Sequence, residues 1–360
     1  MSNPIEKTEI KLAEKFSRKH AILTGRGAGA LYAVCHALRQ PGSRLVLPSV
    51  GCPSLLGFNL SLGIKPVVVD VNSNMGMDID CLNRVIREGD IVVGVHLYGI
   101  PVDADSIRKI CDNAGAVFIE DAAQAIGGRD VGTLGLAGVL SFAGGKILGT
   151  SGGGAVLTDD DDVAAKVRVC VGDYPDRPED LNNRAKILRN KITVDFNHVR
   201  SSGDRSPAAN WRSYASEAGD IYRYKITDSE AENIFQAVDD LGEVSRNRRR
   251  KVDRYRFFMD GFRCLWLEYP TDCSPFRFSF ILPLDTPGEV QEATEAIRSA
   301  GLHASNLYLP LQWLDPGNVE DTGCPNGEYM SMRVINLWVD EATSETDIRK
   351  AAGMVSMWAS

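Results

Sequence analysis

Ala116-Val117-Phe118-Ile119-Glu120-Asp121-Ala122-Ala123-Gln124-Ala125 is an apolar run that closes on an acid pair and passes into small residues. It reads as a buried strand with Asp121 at its carboxyl end. Downstream, Ser141-Phe142-Ala143-Gly144-Gly145-Lys146 sets one lysine in a Ser/Gly loop. An acid at a strand terminus and a loop lysine suit pyridoxal 5'-phosphate. The lysine forms a Schiff base with the cofactor aldehyde, and the carboxylate keeps the pyridine nitrogen protonated. Separately, each has an ordinary reading, Asp121 as a helix N-cap and Lys146 as a solvated loop residue.

Outward from this segment, residues 20–170 alternate short β-rich runs with helical patterns, which predicts an α/β domain with a mostly parallel sheet. The expected strands are 44–48, 66–70, 91–96, 116–120, 138–142 and 154–158. Between Ala21-Ile22-Leu23 and the helical spacing Leu31, Val34, Cys35, Leu38 lies a glycine-rich turn, Gly25 to Gly29. A turn at a helix N-terminus offers free N–H groups and the helix dipole to a phosphate. A dinucleotide site is disfavoured. It needs an acid at the end of the next strand, where this chain has Pro48-Ser49.

The 360 residues are 44% apolar with a net charge of -8, enough for a large core and unfavourable to nucleic acid or anionic membrane as main partner. The cysteines at 35, 52, 81, 111, 170, 264, 273 and 324 show no C-x-x-C pair, so neither zinc nor a disulfide framework is expected. A reducing cytoplasm fits this usage. The amino terminus lacks an apolar h-region, and no run approaches the roughly 18 apolar residues of a membrane span.

Two units are expected, a large cofactor-binding domain over 1–240 and a small C-terminal α+β domain over 241–360. The polar stretch 171–220 reads as an insertion or flexible flap. A helix is expected from Asp228 as N-cap through Val244, continued by the cationic run Arg246 to Lys251 as a solvated face. Phe276–Leu282 and Arg333–Leu337 read as strands, Pro287–Ser299 as a helix, and Ser344 with Asp347 as the start of a final helix.

Glu120-Asp121-Ala122-Ala123-Gln124-Ala125, Ser141-Phe142 with Lys146 and Gly149, Gly152-Gly153-Gly154, His96-Leu97-Tyr98-Gly99 and Tyr224-Lys225-Ile226-Thr227-Asp228 together resemble the DegT/DnrJ/EryC1/StrS family from about Ala21 to Ala352. These are fold type I, pyridoxal-phosphate-dependent sugar aminotransferases. The resemblance implies that Lys146 is the Schiff-base lysine and proton carrier, that Asp121 binds the pyridinium nitrogen and that Gln124 lies beside the phenolic oxygen. It gives the phosphate to the Ser141 hydroxyl and the amides of Ala28 and Gly29. It also implies a homodimer with shared sites, an amino-acid donor such as glutamate, and a keto-sugar, nucleotide-linked, or a cyclitol ketone as acceptor.

The chain departs from the family at four places. Cys52, in Gly51-Cys52-Pro53, stands where an aromatic residue stacks on the ring, and Ala28 replaces the phosphate-turn threonine. Arg223 replaces the asparagine lent to the neighbouring subunit. Asn306-Leu307-Tyr308-Leu309-Pro310-Leu311-Gln312 lacks both histidines of its segment. His96 reads as a hydrogen-bonded core residue and Tyr98 as a pocket candidate. The alternatives are another pyridoxal-phosphate lyase, dehydratase or condensing enzyme, or a non-catalytic regulatory or assembly protein. Family dehydratases acting on sugars carry histidine in place of the lysine, so Lys146 argues against that variant.

Overall fold

The structure, a computed structural model, describes residues 3–57 and 59–359. Its large sheet runs, in spatial order, His20–Thr24, Gly154–Thr158, Ala137–Ser141, Val117–Asp121, Ile91–Val95, Arg44–Pro48, Lys65–Val69 and Glu320–Asp321. From Ala137–Ser141 to Glu320–Asp321 every neighbouring pair is parallel. Gly154–Thr158 is antiparallel to both of its neighbours. Two reversals therefore restore His20–Thr24 to the common direction. Its carboxyl end, with the glycine turn that follows, lies at the same edge of the sheet as Asp121 and Ser141. In an open α/β sheet that edge is where ligands bind.

The central strands are buried on both faces, and their side chains divide with a period of two. Leu45, Leu47, Val93 and Ile119 pack into one cluster, Val46, Val92 and Phe118 into another. Gly94 interrupts Ile91-Val92-Val93-Gly94-Val95 because a Cβ there would lie 2.8 Å from the Phe118 ring. A second, antiparallel sheet is ordered Ala304–Ser305, Val334–Leu337, Phe278–Ile281, Leu265–Trp266. The C-terminal part also returns to the large sheet through Glu320–Asp321. Just beyond, Asp70 Oδ1 accepts from Gly327 N at 2.7 Å and Oδ2 from Asn326 N at 3.1 Å.

The expected strands form: in the large sheet 44–48 and 154–158 match at both ends, 66–70, 116–120 and 138–142 are displaced by one residue, and 91–96 ends one residue early. Three expectations are refined. Residues 171–220, expected as a polar insertion or flexible flap, are mainly helical, with Leu181–Ser202 and Trp211–Glu217. Their polarity conceals a buried stripe of Leu181, Leu188, Phe196 and Val199. The helix at Asp228 is capped by Thr227, whose hydroxyl accepts from Glu230 N while the Glu230 carboxylate accepts from Thr227 N, a capping box. A 3₁₀ turn at Val238–Asp240 then divides it from Leu241–Phe258. Among the described residues, no helix is long and apolar enough to cross a membrane.

Candidate active site

Helix Gly27–Leu38 starts immediately after the turn, and its N-cap Arg26 makes no side-chain cap. Ala30 N–H donates to Arg26 O at 3.0 Å, so the amides of Gly27, Ala28 and Gly29 precede the helical ladder at the positive end of the dipole. The cradle is too tight for side chains. A Cβ on Gly27 would lie 2.7 Å from Ser141 Cβ and 3.1 Å from its Oγ, and one on Gly29 would lie 2.6 Å from the Tyr222 carbonyl oxygen. The backbone amides and the Ser141 hydroxyl thus meet at one cup.

Asp121 ends its strand half-buried, with Oδ1 accepting from Ala123 N at 3.0 Å. Burial raises its carboxyl pKa, opposed by that N–H and by the charge of Lys146. Lys146 is half-buried as well, its Nζ 5.2 Å from the centre of the Phe276 ring. Burial pulls its amine below the ordinary lysine value, against Cys52 and Asp121 and with help from Arg277. The amine is therefore biased toward the neutral, nucleophilic form. Cys52 lies close enough to act on Lys146, Tyr222 and Tyr308, and its Sγ accepts from Ser54 Oγ at 3.1 Å.

Gln124 is buried, and both ends of its amide are engaged. Oε1 accepts from Tyr98 N at 3.1 Å and Nε2 donates to Tyr308 Oη at 3.0 Å. Tyr98 and Tyr308 stack with centroids 6.1 Å apart. His96 is a core residue. Nδ1 accepts from Val102 N at 3.2 Å, which leaves the proton on Nε2 to donate to Glu120 Oε2 at 3.0 Å. Glu120 also accepts from the amides of Gly132, Leu134 and Gly135. Burial would raise its pKa, but the His96 bond and these amides outweigh burial and hold it low.

Arg223 places its guanidinium 4.5 Å from the ring centre of Tyr32 in its own chain and lines the same cavity as Ala28. The sequence reading missed Arg277. It is sandwiched between the rings of Phe276 and Trp338, at 3.9 and 4.0 Å, and burial pushes its pKa down to about 10. The signal was a lone cation in Phe276-Arg277-Phe278-Ser279-Phe280, a strand otherwise aromatic on one face.

A glycine cup with free amides, a hydroxyl beside it, and a half-buried amine within charge range of a half-buried carboxyl fit pyridoxal phosphate. The sheet and this site define a fold type I, pyridoxal-phosphate-dependent enzyme. The chain belongs to the DegT/DnrJ/EryC1/StrS aminotransferase family, whose pattern matches residues 2–356. It is 25% identical over 362 residues to a UDP-N-acetyl-3-dehydro-alpha-D-glucosamine 3-aminotransferase of Acidithiobacillus ferrooxidans, covering 96% of this chain and 86% of that one. It is 36% identical over 174 residues to a pleiotropic regulatory protein of Geobacillus stearothermophilus, a match spanning 46% of each, about half the length of either chain. The crystal structure of DesI with its TDP-sugar product superposes with a TM-score of 0.76 at 23% identity, over 98% of this chain and 84% of that one.

Proposed function

We propose that this protein is a cytoplasmic aminotransferase that moves an amino group from an amino acid, with glutamate as donor, to a keto-sugar, nucleotide-linked, or to a cyclitol ketone. The observation that carries this reading is the gathering, at one edge of the large sheet, of the glycine turn packed on Ser141 and of Asp121 within charge range of the Lys146 amine. In the proposal, Ala28 and Gly29 amides and the Ser141 hydroxyl hold the cofactor phosphate. Asp121 holds the ring nitrogen, Lys146 the aldehyde carbon, and Gln124 and Cys52 flank the ring. Bound there, pyridoxal phosphate supplies an electron sink for the C–H bond broken at the donor's amino carbon.

Lys146, once free, takes the proton from that carbon and returns it on the cofactor side, a task suited to an amine with a depressed pKa. Asp121 keeps its negative charge when a cation faces it, because the opposite charge offsets the burial that otherwise favours its neutral form. The Phe276 ring, 5.2 Å from Nζ, limits water around the amine. The division into a cofactor unit over 1–240 and a smaller unit over 241–360 belongs to the same reading. So does a homodimer in which Arg223 completes the neighbouring cup.

The test is a half-reaction. Protein loaded with pyridoxal phosphate is mixed with glutamate and other amino acids, and pyridoxamine phosphate is measured, followed by a panel of keto-sugars. Pyridoxamine phosphate formation with transfer to a keto-sugar is expected; no conversion with any donor would sink the reading. For the dimer, Arg223→Ala and Lys146→Ala chains are mixed. Recovery of activity in the mixture is expected, and a mixture as inactive as its parents removes Arg223 from the neighbouring site.

A further inference from the structure

A cavity of about 280 Å³ opens at Cys52 and Tyr308 and runs beneath helix Leu181–Ser202. Four arginines line it, Arg26, Arg189, Arg200 and Arg298, and no aspartate or glutamate does. In a chain of net charge -8 this is a concentrated exception. Arg298 is already engaged, with Ala304 O at 2.8 Å and Glu295 Oε1 at 2.6 Å. Arg200 is different. It is 2% exposed, and neither Nε nor Nη2 has a hydrogen-bond partner. Among the described residues it forms no ion pair. Burial pushes its pKa down to about 9. Asn306, 4% exposed on the same wall, has both amide atoms unpartnered.

A buried guanidinium without a partner is costly, and the protein gains nothing for its own stability by keeping one. The two free nitrogens, Nε and Nη2, form one edge of the planar fork, the edge that matches two carboxylate oxygens. The Asn306 carboxamide adds a donor and an acceptor. The rest of the wall is mixed, with Leu188, Phe196 and Trp211 as apolar surface and Thr193, Asn197 and the other arginines as polar groups, and the volume suits a compact ligand. We propose that Arg200 and Asn306 form a carboxylate-recognition subsite that holds the acid group of a compact substrate while its reacting carbon faces Lys146. The orientation toward Lys146 rests on the function proposed above; recognition of the anion does not.

The test is calorimetry and thermal melting of pyridoxal-phosphate-loaded protein with glutarate, a dicarboxylate that carries no amine to transfer. Inorganic phosphate and 1,5-pentanediol serve as comparisons at constant ionic strength. Glutarate is expected to bind and raise the melting temperature, and the diol to do neither. Arg200→Gln is expected to weaken glutarate by about ten- to hundredfold, the weight of a charged hydrogen-bonded pair, and Asn306→Ala by about two- to tenfold. Arg200→Met is expected to melt at or above the wild type without ligand, since it removes an unpaired buried charge, and to lose the glutarate shift. Wild-type affinity retained in both Arg200→Gln and Asn306→Ala, or no glutarate binding by the wild type, overturns the subsite. Binding of phosphate but not glutarate overturns its assignment to a carboxylate. Because glutarate does not react, failure to transaminate leaves this result readable by itself.

Discussion

Gln124 Nε2 donates to Tyr308 Oη at 3.0 Å across 184 residues of chain. The bond joins the loop beyond Asp121 to the C-terminal segment that borders the cleft. Tyr308→Phe keeps the ring stacked on Tyr98 but leaves Gln124 Nε2 without its acceptor in a buried place. A loss of about 1–3 kcal/mol is expected, measured as the urea midpoint of unfolding. No change would show that Gln124 finds another partner.

Lys146→Ala is expected to remove the half-reaction with glutamate, by about 10²–10⁴-fold from the lost proton carrier and further from the lost attachment. Stopped-flow formation of pyridoxamine phosphate reads the effect.

The depressed pKa of Lys146 has a sign that can be checked. Burial is its main cause, and Arg277 adds like-charge repulsion. Capture of pyridoxal phosphate by the apoprotein needs the neutral amine, so its rate should fall as pH drops through the amine's pKa. Arg277→Gln removes a neighbouring cation and should move that fall to higher pH. A profile that stays in place would separate Arg277 from the amine.

Glu120 is a structural acid, and its pH dependence runs the other way. Its folded pKa lies below the ordinary glutamate value of 4.5 because His96 and the backbone amides outweigh burial. The stability it contributes is present above that value and is lost as pH falls through the folded pKa. Glu120→Gln should cost about 1–3 kcal/mol near neutrality, and the gap to the wild type should narrow below pH 4.5 in acid unfolding curves. His96→Gln should weaken folding while leaving kcat unchanged at low temperature.

Gly29→Ala is expected to impair cofactor affinity. The new Cβ would stand 2.6 Å from the Tyr222 carbonyl oxygen, and backbone must shift to admit it. A cost of about 1–3 kcal/mol to folding is also expected. Fluorescence titration with pyridoxal phosphate measures the first effect and thermal melting the second.

Much of this arrangement was legible because parallel strands write themselves as short apolar runs. Arg44–Pro48 and Ile91–Val95 are buried along their whole length, so composition alone locates them. The glycine turn was legible because only glycine tolerates contacts of 2.6–2.7 Å. Leu181–Ser202 was not, since four buried apolar residues spread over six turns do not lift the mean hydropathy of a charged segment. Arg200 and Arg277 were hidden for a related reason. A buried arginine looks like a surface arginine until the topology shows what lies over it.

The two-residue strand Glu320–Asp321 moors the C-terminal part to the far margin of the large sheet, with Asp70 clasping the next turn. The smaller sheet therefore cannot swing away as a free lobe. It is tied on at two places, by the helix Leu241–Phe258 that leads into it and by the turn that Asp70 holds. Along the chain, Tyr308 lies between these ties. Amides 320–327 should accordingly exchange hydrogen as slowly as the adjoining strand Lys65–Val69, and Asp70→Ala should free them together with the cleft wall.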